Sequence, residues 1–180
     1  MGTLIAAAIR LVVPLTILRW PLAGGVLAIA ADTIDILIFN AWGFPSMGYQ
    51  RFDKLLDLYY LSLELAVVQR WLPFERGLAS TLFAFRVAGV ILFEATGFRV
   101  ALLLFPNMFE AYYLLVLAAR RWMPAYELTG ARTAVTLGIL LIPKLAQEYA
   151  LHYARWLDNL VAFEVISDAW EWVRDHLPGA

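Results

Sequence analysis

Four aspartates inside an otherwise apolar stretch constrain this chain more than any other feature. Residues 32–57 read DTIDILIFNAWGFPSMGYQRFDKLLD, with Asp32 and Asp35 three residues apart and Asp53 and Asp57 four apart. Each spacing puts its pair on one face of a helix. The NAWGFPSMG run between the pairs holds the Gly and Pro that reverse a chain. Two helices joined by a hairpin then turn four carboxylates toward one shared space. Carboxylates beside hydrocarbon are expensive, so a set of them in a membrane is a functional centre by default. The structural alternative is a buried network paired with Arg10, Arg86 or Lys144.

The hydrocarbon setting follows from composition. Of 180 residues, 62% are hydrophobic and 16% charged, whereas a soluble domain is nearer half apolar and a quarter charged. Long apolar runs without alternating ten-residue strands predict an all-α, polytopic membrane protein and not a barrel. Its first partner is the lipid bilayer, and the expected location is a multi-pass position in a prokaryotic-type inner (cytoplasmic) membrane. A net charge of −1 excludes nucleic acid as a partner, and the absence of cysteine removes disulfides and thiolate chemistry.

Six spanning segments are expected: about 3–19, 21–39, 49–71, 78–96, 98–119 with a kink at Pro106-Asn107, and 128–153. Together they form a six-transmembrane-helix domain over 1–157. Residues 158–180 mix charge with Trp and Val at helical spacing and read as an amphipathic interfacial C-terminal segment. Trp20, Trp42, Trp71 and Trp122 fall at segment ends, where interfacial tryptophans belong.

Alternating helix direction brings Asp32, Asp35, Asp53, Asp57, Glu94, Arg99, Glu148 and His152 to one membrane side. Arg10, Arg86 and Lys144 lie somewhat deeper, within snorkelling reach. Clustered carboxylates cannot all ionise unpaired in a low dielectric. Hard divalent cations suit them, and the lack of Cys disfavours zinc. Arg10, Arg86, Arg99 and Lys144 are the candidate phosphate- or substrate-binding cations. Glu64 lies at helical spacing from Asp53 and Asp57; it extends the polar space or pairs with a partner subunit.

The run Asp-x2-Asp, 17 residues, Asp-x3-Asp resembles the signature of the CDP-alcohol phosphotransferase family, D-x2-D-G-x2-A-R-x8-G-x3-D-x3-D. The family's six-helix membrane architecture places that signature at the end of helix 2 and the start of helix 3. The resemblance implies metal binding by Asp32, Asp35 and Asp53. It also implies that Asp57 deprotonates the acceptor alcohol while touching metal. Mg²⁺ or Mn²⁺ is the implied cofactor. The implied reaction moves a substituted phosphoryl group from a CDP-activated donor to an alcohol or lipid acceptor in phospholipid synthesis. Where the family has Gly, Ala-Arg and a later Gly, this chain has Ile36, Phe39-Asn40 and Tyr49. The metal half of the motif is intact and the nucleotide half differs. A second expectation, of another class, is a non-catalytic subunit of a larger membrane complex built on this fold. The enzyme would isolate alone or as a homodimer, the subunit with fixed partners.

Overall fold

Proline opens helices in this chain and glycine or proline closes them. The computed structural model describes the backbone of residues 2–41, 46–125 and 129–154, and the side chains of 7–33, 53–125, 129–150, 153 and 154. Every described element is helical: α1 (Gly2–Val12), a 3₁₀ turn (Val13–Leu18), α2 (Pro21–Ala41), α3 (Ser46–Val68), α4 (Pro73–Thr96), α5 (Val100–Leu104), α6 (Met108–Trp122), α7 (Gly130–Glu148) and a π turn (Tyr149–Tyr153). Asp35, His152 and the 158–180 segment fall, as side chains, outside the described residues.

Among the described residues the expected order of helices is present, with three local differences. The fourth helix begins at Pro73, not near Leu78. Proline at the first helical position lacks only an N–H that would be unpaired there anyway, and Glu75 in the first turn complements the helix dipole. Its far end is closed by Gly97 at φ 71°, whose N–H bonds the Phe93 carbonyl. The expected kink at Pro106 is a full break between α5 and α6, because the Pro ring cannot coexist with the carbonyl four residues earlier. Arg86 on α4 donates to the freed carbonyls of Leu102 and Phe105 (3.4 and 2.9 Å). Asn107 caps α6 by accepting from the Glu110 N–H. Third, the first segment is α-helical only to Val12 and tightens to 3₁₀ from Val13, with Pro14 in its first turn.

That 3₁₀ turn is pressed onto α2 at Gly24. A Cβ at position 24 would meet the main chain of Thr16 and Ile17 at less than van der Waals distance, so only glycine permits the approach. The core itself joins α3, α4 and α6. Trp71 stacks on Tyr113 (5.6 Å between centroids), and Phe83 meets Phe109 edge-on (5.4 Å). Arg120 closes the far end of this core, over the Trp71 ring and paired with Glu75.

Two stretches of the described chain, Pro73–Thr96 and Val100–Trp122, are long and apolar enough to cross a membrane. Ala7–Leu18 and Pro21–Thr33 are apolar but shorter within the described residues. The third and seventh helices are diluted by charge: α3 carries Arg51, Asp53, Lys54, Asp57 and Glu64, and α7 carries Arg132, Lys144 and Glu148.

Candidate metal centre

Side chains from three helices build the centre. Asp53 and Asp57, one turn apart, face inward from the start of α3, and Asp32 reaches them from α2. One carboxylate oxygen from each lies within 4.8 Å of the other two. Arg10, near the end of α1, enters from the third side with its side chain only 3% exposed. Its guanidinium pairs with Asp32, and donates to Asp53 (2.6 Å) and to Asp57 (2.8 Å). Asp57 has a side-chain exposure of 8%, while Asp32 at 29% is the open edge.

Lys54 completes the group. Its ammonium lies 2.8 Å from Asp53 and 2.6 Å from Asp57. Sequence reasoning gave this residue no role in the site. The signal was available: Lys54 stands three residues before Asp57, so it shares the inward face. Among the described residues, three carboxylates stand against two cations in a largely buried space. Surplus anionic charge there favours a further cation.

Oxygen spacing agrees with a hard metal ion. Two ligands at the roughly 2.0–2.1 Å of Mg²⁺ stand at most about 4.2 Å apart, and at the longer Ca²⁺ distances about 5 Å. A triad within 4.8 Å therefore needs at most a small side-chain rotation to hold such an ion. The donor set is all carboxylate oxygen, without Cys or His, which suits Mg²⁺, Mn²⁺ or Ca²⁺.

The remaining expected site residues do not all come here. Arg86 and Lys144 belong to a second polar cluster around the α5–α6 break. There Arg86 Nη1 is 3.8 Å from Glu148, and Lys144 is 3.8 and 3.9 Å from Glu110 and Glu148. Glu148 also accepts from the Asn107 N–H (3.3 Å). Arg99 precedes α5, across the Gly97 turn from the end of α4. Tyr60, one turn beyond Asp57 on α3, links the two clusters by donating to Glu110 (2.8 Å). The single shared cavity expected from helix direction is therefore two clusters joined by a tyrosine. The chain matches no protein-family model, no curated protein and no solved structure.

Proposed function

We propose that this chain is a multi-pass, six-span integral membrane protein whose aspartate centre binds a divalent cation and serves phosphoalcohol transfer. The observation that carries the reading is the convergence of Asp32, Asp53 and Asp57 from two helices onto one point. Their spacing is the part of the sequence that resembles the CDP-alcohol phosphotransferase signature. A bilayer location is supported by the two apolar stretches; the prokaryotic inner-membrane type is part of the proposal. The bilayer location is also supported by bulky side chains left outside the bundle, such as Val135, Ile139 and Ile142 on α7, each more than 60% exposed.

The chain's own residues divide the work. Asp32 and Asp53 would hold the Mg²⁺ or Mn²⁺, with Asp35 joining them as the resemblance to the signature implies. A bound ion would supply charge neutralisation and polarisation of the donor phosphorus. Lys54, on a flexible stem, would turn from Asp53 and Asp57 once a bound ion neutralised them. Asp57, then free of its lysine, accepts the proton of the acceptor hydroxyl. Arg10 keeps the carboxylates in register from the closed side, and Lys54, once displaced, meets the phosphate oxygens at the open side. Arg86 and Lys144 act one shell away, by holding the second cluster.

A specific observation also favours the non-catalytic reading: Arg10 and Lys54 already satisfy all three acids, as a structural network would. Calorimetric titration of the purified protein with Mn²⁺, with and without CDP, separates the two. Binding that is lost in Asp53→Asn and tightens with CDP supports the transferase. Absence of metal binding overturns it in favour of the structural subunit.

A further inference from the structure

Helix α3 carries a polar stripe that continues past the aspartates. Asp53, Asp57, Tyr60 and Glu64 follow at intervals of four, three and four residues, so all share one face. At about 1.5 Å per residue the stripe runs about 16 Å inward from Asp53 to Glu64. Glu64 at its deep end has no exposed surface. Neither of its carboxyl oxygens has a hydrogen-bond partner among the described residues. A chemically built site lies around it. Gly25 on α2 offers bare backbone, and a Cβ there would stand 3.2 Å from Glu64 Oε1 and 3.1 Å from the Tyr113 ring. The Tyr113 hydroxyl is committed to the Pro21 carbonyl (3.2 Å).

The charged and titratable groups on the packed elements can be named. From α6 the titratable neighbours are Tyr113, whose ring lies against the same Gly25 position as Glu64, and Glu110 one turn before it. Glu110 in turn takes the Tyr60 hydroxyl and has Lys144 of α7 at 3.8 Å. Arg10 of α1 is held in the aspartate centre, and Arg86 of α4 serves the α5–α6 break. The 3₁₀ turn, VPLTIL, brings no ionisable group. Glu64 thus faces a second carboxyl and no cation.

A buried carboxyl without donor or counter-ion is far cheaper neutral than charged. With Tyr113, Leu114 and the Gly25 backbone close against it, a proton is the cation that needs no room. We propose that Glu64 is a proton-binding site inside the bundle, exchanging its proton with Glu110, the carboxylate that takes the Tyr60 hydroxyl. In the transfer step the proton leaves Glu64 as its O–H bond breaks, forms a new O–H bond on the Glu110 carboxylate, and leaves Glu64 as the anion. No oxidant or co-reactant is required. Tyr60, whose hydroxyl donates to Glu110, is a positioning residue that holds the accepting carboxylate in place.

The test is infrared spectroscopy of the full-length protein in lipid at neutral pH. The expected result is a protonated-carboxyl C=O band that shifts on transfer to D₂O, survives in Asp32→Asn, and disappears in Glu64→Gln. Tyr60→Phe should keep the band but slow its deuterium shift severalfold. Carboxyl-labelled glutamate moves the band of the unmutated protein if a glutamate carries the proton, which keeps the test decisive should Glu64→Gln fail to fold. In that case loss of the band in Glu110→Gln assigns the proton to Glu110 and overturns the proposal, whereas its survival supports it. A band unchanged in a folded Glu64→Gln protein, or no protonated glutamate at neutral pH, also overturns it.

Discussion

Replacing Arg10 tests the electrostatics of the centre most directly. The guanidinium pairs with Asp32, Asp53 and Asp57 at once, from a side chain only 3% exposed. At an effective dielectric near 20, two unit charges about 4 Å apart exchange about 4 kcal/mol, so the three gross attractions are large. Burying the guanidinium offsets much of this, and the net loss on removing one partner of a buried ion group is about 3–5 kcal/mol. In Arg10→Gln the three described carboxylates keep only Lys54 as a paired cation among the described residues, and the excess of negative over positive charge rises by one. For a chain of this length about 1 kcal/mol moves the melting temperature by roughly 2–4 °C, so the variant should melt roughly 6–20 °C lower. The assay is thermal unfolding of the purified proteins in one detergent, with and without Mn²⁺. A divalent ion at a hundred times its dissociation constant adds about 2.7 kcal/mol to the folded state. Mn²⁺ should therefore recover roughly 5–11 °C in Arg10→Gln, and more than it adds to the parent protein. Melting within about 2 °C of the parent would refute the network's role in stability. A loss that Mn²⁺ does not touch would refute the metal reading.

The opposite charge change should behave oppositely. Asp57→Asn leaves two carboxylates against Arg10 and Lys54, a balanced group; it should melt within about 4 °C of the parent yet lose transfer activity, measured by CMP release. Retained activity would remove Asp57 from the role of base. Gly24→Ala drives a methyl into the main chain of Thr16 and Ile17 and should destabilise by about 1–3 kcal/mol or more. Gly138→Ala, on α7 with nothing within 4 Å, should instead stabilise by about 0.5–1 kcal/mol. Equal melting shifts for the two glycines would contradict the close seam between the 3₁₀ turn and α2.

The divisions of the chain were readable from Pro, Gly and interfacial Trp, because those residues act through their own backbone or the residues beside them. The pairing of Asp32 with Asp53 and Asp57 was readable for a similar reason: a hairpin folds one regular spacing onto another. Lys54 escaped because attention rested on the acids, although its helical offset from Asp57 turns it inward. The separation of Arg86 and Lys144 from the aspartates was not readable either. It depends on the α5–α6 break, whose freed carbonyls draw Arg86 away from any ligand. Helix direction predicts the membrane side of a group, not which neighbour claims it. Glu64 shows the same limit: its helical spacing was plain, but only packing shows that it is sealed within the bundle.

The seam at Gly24 carries a meaning for the ion group some distance away. Arg10 stands seven residues before Ile17, and Asp32 stands eight residues after Gly24. The glycine contact and the Arg10–Asp32 pair thus fasten one helical hairpin at two points about 12 Å apart. One fastening is steric and insensitive to pH or salt; the other is ionic. A sequence can therefore alter the charges of the centre without losing the alignment of its first two helices. A change at position 24 displaces Arg10 relative to Asp32 while altering neither charge.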